Sequence, residues 1–159
     1  MKGLTHYVFR SVWHVDAGQA DLVAVLQDLG SYPAWWPEIR EVHQRGDNRF
    51  EVVARSLLPY ELRFVSEAAP TIPGPGVIDA RLSGDLEGSV RWTVTPDGGG
   101  CRLVYDQEVD THKRLLDLTA PVARPAFRAN HALMMRHGQA GLRTYMAGFN
   151  RSAGRPPAP

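Results

Sequence analysis

The sequence predicts an α+β domain in which one sheet of seven antiparallel strands packs against a long C-terminal helix. Three patterns support this class. Residues 6–15 alternate apolar and polar side chains, residues 39–111 contain six further short runs between turn-forming residues, and residues 115–149 repeat apolar side chains every three or four positions. Because 159 residues is an ordinary size for a single domain, the three patterns are expected to share one core.

The first strand is predicted over "HYVFRSVWHV", where alternate side chains place Tyr7, Phe9 and Trp13 on one face. Asp16 is the expected N-cap of the helix that follows, and Gly30 suits its end. The two prolines of the next stretch, "SYPAWWPEI", limit any helix there to one or two turns. The first helix itself is indicated by apolar residues at helical spacing, namely Leu22, Val25, Leu26 and Leu29.

The middle of the chain is predicted to form the rest of the sheet. Its runs are separated by the turn signals "GDNR", "LLPY", "PGPG", "SGDLEG" and "PDGGG". Such short connections favour antiparallel neighbours, because parallel strands need a crossover of a dozen or more residues. The six strands are predicted at 39–46, 49–57, 60–68, 76–84, 87–96 and 101–111.

The last segment, from Leu115 to Phe149, is helical in period, with Pro121 and Pro125 near its start, where proline is tolerated or makes a kink. A long apolar stripe must be buried, and the concave face of a twisted sheet is the available surface. The predicted stripe consists of Phe127, His131, Met134, Gly138, Leu142, Tyr145 and Phe149.

The composition argues against several classes of function. The net charge is +1 and charges of both signs are scattered, so no basic surface for nucleic acid or an anionic membrane is expected. The single cysteine, Cys101, excludes an intrachain disulfide, and no apolar run suits a signal sequence or a membrane span. We therefore expect a cytoplasmic monomer or homodimer, with one domain over residues 1–150 and a disordered tail over residues 151–159.

Two groups of residues have metal-ligating side chains, but neither group is expected to form a metal site. His131 and His137 are six positions apart, which turns them about 240° apart around a helix. The glycine runs lack the lysine and hydroxyl residue of a phosphate loop, and no G-x-S-x-G sequence occurs. The second group of metal-ligating side chains is predicted to be a solvated strand face and contains Asp106, Glu108, Asp110 and His112. We therefore expect neither a metal nor a cofactor.

Three segments, together with the order of the elements, resemble the START/Bet v1-like (SRPBCC) superfamily, within its polyketide cyclase/dehydrase-like bacterial branch. These segments are "YPAWWPEIREV", "LSGDLEGSVRWTV" and "PVARPAFRANHALMMRHGQAGL", and the resemblance covers residues 5 to 149. It implies a helix-grip fold, in which a curved sheet wraps around the C-terminal helix and encloses an apolar cavity. That superfamily includes aromatase/cyclases as well as lipid and hormone carriers.

In such a fold, three side chains are candidates for catalysis. His131 lies on the apolar stripe and Tyr105 on the core-facing side of the last strand, so both can reach the cavity as proton donors or acceptors. Arg40 could stabilise an enolate from an inward position, but Ile39 and Val42 leave its face undecided. Strand alternation places the other strand arginines in solvent, namely Arg55, Arg63, Arg81 and Arg91.

The walls of a hydrophobic ligand site can be drawn from aromatic and aliphatic side chains and one amide. The amide belongs to Gln107, which lies between Tyr105 and Val109 on a core-facing strand and needs a hydrogen-bond partner. The predicted ligand-binding residues are Tyr7, Phe9, Trp13, Trp36, Trp92, Gln107, Phe127, Met134 and Leu142.

The adjacent tryptophans of "YPAWWP" are expected to have different roles, because neighbouring residues on a helical turn point about 100° apart. Trp36 is predicted to reach the cavity, while Trp35 packs on the helix and the sheet edge. Three functions stay open. The chain binds a small hydrophobic molecule of polyketide-like or lipid-like character, or it is an aromatase/cyclase or dehydratase using His, Tyr and Arg, or it is a protein-interaction module without a ligand.

Overall fold

The computed structural model describes residues 6–58, 60–69, 74–111, 120–152 and 154. Its seven strands form one antiparallel sheet in the order β1-β7-β6-β5-β4-β3-β2. The predicted strand count is therefore confirmed. The strands are β1 His6–Val15, β2 Ile39–Gly46, β3 Arg49–Ala54, β4 Leu62–Ala68, β5 Val77–Gly84, β6 Leu86–Asp97 and β7 Gly100–Thr111.

The helices occupy the two places that the sequence indicates. Between β1 and β2 lie α1 Gln19–Gln27, a 3₁₀ turn Leu29–Ser31 and a single-turn helix α2 Tyr32–Trp35. The long helix α3, Ala120–Ser152, follows the sheet and contains Pro125. The α+β helix-grip class is confirmed. None of the described helices is long and apolar enough to cross a bilayer; the cytoplasmic location stays a prediction.

The alternation of side chains fixes the faces of the sheet. Along β1, Tyr7, Trp13 and Val15 are each 2 % exposed, while Val8 is 59 % exposed. β1 pairs with β7 along its whole length, so Tyr7 lies opposite Val109. The face that carries these buried residues packs against α3 and forms the core.

The first helix begins later than the sequence predicts. Its N-cap is Gly18 rather than Asp16, and no side chain caps it. The reason is that Ala17 is buried after β1 and its amide bonds to the carbonyl of Val15 (3.0 Å), so the chain turns into the core before the helix starts. The helix also ends before Gly30, with Asp28 as its C-cap.

β3 and β4 are shorter than predicted at the turn that joins them. The ladder between them begins with Ala54 opposite Leu62, so residues 55–57 and 60–61 lie outside it. The amide of Arg55 instead bonds to the carbonyl of Glu38 (2.8 Å). This bond keeps the end of β3 beside β2.

A bulge at the start of β2 decides the position of Arg40. The register shifts between Ile39, which pairs with Ala54, and Glu41, which pairs with Val53. A bulge adds one residue to a strand, so positions three apart can share a face. Ile39 is buried, Val42 packs against the core and Arg40 is exposed.

α3 approaches the segment around α2 very closely at two glycines. A Cβ atom at Gly138 would lie 2.7 Å from Trp36 and 2.8 Å from Trp13, and one at Gly141 would overlap the carbonyl oxygen of Trp35. No other residue type fits at Gly141 without movement of the backbone. The glycines therefore let the helix rest directly on the tryptophans.

Side chains of α3 also cover the outer edge of β1. Gln139 Oε1 accepts a hydrogen bond from the amide of His14 (2.9 Å), and Arg143 donates to the His14 carbonyl (2.7 Å). These bonds satisfy backbone groups that an edge strand otherwise leaves open to another chain.

The C-terminal end of the last predicted helix differs from expectation. α3 extends to Ser152, two residues into the predicted tail, and Phe149 is 38 % exposed rather than buried in the stripe. Residues 153 and 155–159 of the predicted tail lie outside the described residues, as do residues 112–119, where the predicted helix was to begin.

Candidate functional site

The concave face of the sheet and α3 enclose a cavity of about 140 Å³. Its wall is almost entirely apolar, and it has aromatic side chains on several sides. Small residues, Ala54 and Ala80, lie among the larger ones. The aromatic lining residues are Tyr32, Trp36, Phe64, Trp92, Tyr105 and Phe127.

The structure divides the predicted ligand-binding residues into two groups. The first group lines the cavity and comprises Trp36, Trp92, Gln107, Phe127 and Met134. The second is packed elsewhere in the core and comprises Tyr7, Phe9, Trp13 and Leu142. The second group shares the inward face but is covered by other core side chains: Trp13 packs on Trp36 and Trp92 with ring centroids 5.5 and 4.9 Å apart.

Three polar side chains meet in the cavity wall. Tyr105 donates its hydroxyl hydrogen to Gln107 Oε1 (2.9 Å), and His131 Nε2 lies 3.1 Å from the same oxygen. Since an amide oxygen only accepts, His131 must carry its proton on Nε2. The hydrogen-bond partners that Gln107 was expected to need are thus, for its oxygen, two side chains of the protein itself.

Burial keeps these groups uncharged. Burial lowers the pKa of His131 to about 4, so the imidazole is neutral at pH 7. Its ring also stacks on Phe9, with centroids 3.7 Å apart. Burial raises the pKa of the Tyr105 hydroxyl above its ordinary value. Both groups therefore act as neutral hydrogen-bonding groups rather than as ions.

Arg40, the third predicted catalytic residue, is not part of the cavity wall. The bulge in β2 leaves it exposed while Ile39 and Val42 face inward. The other strand arginines are exposed as predicted, and Arg91 forms a bidentate pair with Asp79 on the outer face (2.6 and 2.7 Å). A cationic clamp for an enolate is thus absent from the described lining residues.

The acidic face of β7 is engaged by basic side chains of β1. Arg10 Nε lies 2.6 Å from Asp106, and His6 lies 3.0 Å from Asp110 and 3.2 Å from Glu108. Among the described residues, no three His, Cys, Asp or Glu side chains come together as metal ligands. His112, the fourth member of the predicted face, lies outside the described residues.

The two adjacent tryptophans occupy different positions. Trp36 lines the cavity and donates from its indole nitrogen to the carbonyl of Met134 (2.9 Å). Trp35 lies beneath Gly141, and its indole nitrogen donates to Ser31 Oγ (3.3 Å). Both rings are almost fully buried and stack with centroids 5.4 Å apart, so Trp36 is a wall of the cavity and a part of the core at once.

The family model for "Polyketide cyclase / dehydrase and lipid transport" matches residues 7–147. The chain belongs to this family. No curated protein matches the sequence.

Solved structures share the fold of this family member at low sequence identity. An aromatase/cyclase from a Streptomyces species, Zhui, has a TM-score of 0.74 at 17 % identity, covering 95 % of this chain and 99 % of its own. A START superfamily protein from Mycobacterium smegmatis has a TM-score of 0.71 at 16 % identity, with 89 % and 98 % covered. A STAR-related lipid transfer protein from Xanthomonas axonopodis has a TM-score of 0.52 at 16 % identity, with 88 % and 85 % covered.

Other polar residues of this family member escaped the sequence analysis. Asn130 lines the cavity, and its Oδ1 atom is buried with no hydrogen-bond partner among the described residues. It lies three positions after Phe127 and four before Met134, so helical spacing alone could have placed it on the stripe. Glu38, only 5 % exposed, pairs closely with His137 across 99 positions, which no local pattern reveals.

Proposed function

We propose that the protein binds a small hydrophobic molecule in the cavity between its sheet and α3. The observation that carries the proposal is the cavity itself, about 140 Å³ of space lined almost only by apolar and aromatic side chains. Transfer of apolar surface from water into such a wall is the main source of affinity for a ligand of this kind. The family description, which names polyketide cyclases and lipid transport, supports the same class of ligand.

The cavity wall combines rigid and adaptable parts. Trp92 and Phe127 are almost fully buried and offer flat faces to a ring. Met134 and Met135 of α3 can adjust, because methionine has three rotatable bonds and a polarisable sulfur. This combination favours an apolar ligand with at least one ring.

Filling the cavity tests the proposal. Ala80 lines the cavity, and Ala80→Leu would place three additional carbon atoms in the cavity space. Ser83, on the same strand, is exposed and provides the matched control Ser83→Leu. Each protein is purified from its own host and examined by native mass spectrometry, followed by solvent extraction and identification of the bound mass.

The wild type and Ser83→Leu should retain an apolar small molecule, whereas Ala80→Leu should lose at least nine tenths of it. Circular dichroism and the midpoint of unfolding confirm that each variant is folded. A ligand that stays equally on Ala80→Leu, or a wild type that is consistently empty and binds no apolar probe, would contradict the proposal.

A cyclase or dehydratase is the second candidate, and one observation favours it. Tyr105 and His131 both meet the oxygen of Gln107, so two titratable groups converge on one point of the wall. Their chemistry is less favourable, because a histidine whose pKa lies at about 4 is a weak base at neutral pH. A cyclisation assay on a poly-β-keto thioester should then show a rate that falls at least a hundredfold in His131→Gln if this candidate is right.

The third candidate, an interaction module without a ligand, would be favoured by exposed aromatic rings. All four tryptophans are instead buried, with 2 to 6 % of their surface exposed, and Phe149 is the one aromatic residue among the exposed large hydrophobic side chains of the described residues. The edge of β1 is also partly covered by Gln139 and Arg143. These features support binding inside the molecule over binding on its surface.

A further inference from the structure

We propose that the ligand is a neutral, compact ring compound bearing a hydroxyl group, and that Gln107 and Asn130 bind this hydroxyl. This inference rests on the proposed binding function and restricts its ligand class. It separates such compounds from two other groups of hydrophobic molecules, namely carboxylates such as fatty acids and large multi-ring compounds.

The wall of the cavity is uncharged, which disfavours an anionic ligand. None of the described residues that line the cavity carries a formal charge at neutral pH, since the only lining histidine, His131, is neutral. An anionic carboxylate would therefore lose its hydration without gaining a cationic partner, which is strongly unfavourable in an apolar site. Arg40, the arginine that the sequence offers as a candidate for the cavity, is exposed.

Two polar groups of the cavity wall remain available for hydrogen bonds to a ligand. Gln107 is 7 % exposed, and its oxygen already accepts hydrogen bonds from Tyr105 and His131. Its amide NH₂ has no acceptor among the described residues and is left as a donor in the cavity wall. Asn130 Oδ1 is a buried acceptor without a partner in the same wall, since only the Asn130 amide nitrogen is engaged, with the sulfur of Met134 (3.5 Å).

A hydroxyl group is the simplest partner for such a wall, because it donates one hydrogen bond and accepts others. It can donate to Asn130 Oδ1 and accept from the Gln107 amide. Asn130 and Gln107 both line this cavity, and Asn130 is followed on α3 by His131, whose Nε2 lies 3.1 Å from Gln107 Oε1. A ligand without oxygen would leave Asn130 Oδ1 buried and unsatisfied, which costs affinity.

The size of the cavity suits a compact ligand. At about 140 Å³ it is close to the roughly 150 Å³ of an apolar protein cavity that holds benzene. Pockets for drug-sized ligands range from about 300 to 1,000 Å³. Adjustment of Met134 and Met135 can extend the space to a second ring, whereas four fused rings exceed a space of this size.

Four probes test the expected charge, hydroxyl group and size of the ligand. Their binding to the full chain is measured at pH 7.5 by isothermal titration calorimetry and thermal shift. The probes are naphthalene, 2-naphthol, 2-naphthoate and 1-hydroxypyrene. We expect 2-naphthol to bind at least tenfold tighter than naphthalene, 2-naphthoate and 1-hydroxypyrene. The comparison with naphthalene isolates the hydroxyl, the comparison with naphthoate isolates the charge, and the comparison with hydroxypyrene isolates the size.

Variants assign the hydroxyl contacts. Asn130→Leu and Gln107→Met replace the polar groups with apolar ones of similar size, and each should weaken 2-naphthol at least fivefold while leaving naphthalene unchanged. Met135→Leu, which changes an apolar lining residue, is the control and should affect both probes equally. The midpoint of unfolding of each variant verifies that it folds.

The outcomes separate this inference from the proposed function. If naphthalene or 2-naphthoate binds as tightly as 2-naphthol, or if hydroxypyrene binds best, the ligand class is wrong while hydrophobic binding stands. Equal loss of naphthalene and 2-naphthol in Asn130→Leu and Gln107→Met would overturn the assigned contacts. If no probe binds but an apolar ligand is extracted from the native protein, only the inference fails. If no probe binds and no ligand is extracted, both fail.

Discussion

Acidification should destabilise this protein through His131 before most carboxylates are protonated. In the folded state, burial among Phe9, Tyr105 and Gln107 lowers the pKa of this imidazole to about 4, against 6.5 for an exposed histidine. The unfolded chain therefore binds a proton between these pH values that the folded chain does not bind. Stability falls as the pH drops below 6.5, and the loss is complete only below pH 4.

The magnitude follows from the two pKa values. At pH 5, protonation of the unfolded state favours unfolding by about 2 kcal/mol, and the full difference below pH 4 is about 3 kcal/mol. The measurement is urea unfolding of the wild type and His131→Gln at pH 7.5, 6 and 5. The wild type should lose about 2 kcal/mol more than the variant between pH 7.5 and 5.

The variant is less stable at pH 7.5 because it loses a packed ring, so the comparison uses the change with pH and not the absolute value. Nitrogen-15 NMR of the histidine rings gives a second measurement, in which His131 should be protonated on Nε2 at pH 7. Parallel pH dependences of wild type and His131→Gln, or an imidazole that titrates near pH 6.5, would refute the reasoning.

Three further outcomes follow from packing and exposure. Gly141→Ala should destabilise the fold by about 1–3 kcal/mol in chemical unfolding, because the new methyl group meets the carbonyl of Trp35. In the same helix, Gly148→Ala meets only the distant tip of a side chain and should stabilise by about 0.5–1 kcal/mol; equal effects would show that the close approach is wrong. Arg40→Ala should leave probe affinity unchanged within twofold, and a larger loss would return Arg40 to the site. Cys101 is buried and its thiol pKa is raised, so a thiol reagent should modify it only in denaturant, and rapid labelling of the native protein would contradict this.

The sequence predicts the sheet well because local patterns determine it. Side chains alternate along strands, glycine and proline mark the turns, and short turns dictate antiparallel order. β1 and β2 have the predicted bounds, and each of the other strands begins and ends within three residues of its prediction. The largest difference lies at the end of β3, where the amide of Arg55 bonds to the carbonyl of Glu38, which is distant in sequence.

The site is less predictable, because inward-facing residues do not all reach the same space. Alternation correctly places Phe9, Tyr105 and Gln107 on the inner face, but it does not say that Phe9 is covered by the ring of His131. Arg40 shows a second limit. Two apolar residues three apart on a strand signal a bulge as readily as an undecided face, and only the pairing with β3 distinguishes them.

The position of the cavity has a physical reason that links these observations. Around Gly138 and Gly141, α3 lies directly on the tryptophans, so no space is left at that level. At the cavity, the inner face of the sheet carries small side chains such as Ala54 and Ala80, which do not reach the helix. Glycine on the helix closes the gap at one level, and alanine on the strands leaves it open at the other. Enlarging the strand residues should therefore remove the cavity with little change to the fold, whereas enlarging the helix glycines should disturb the fold.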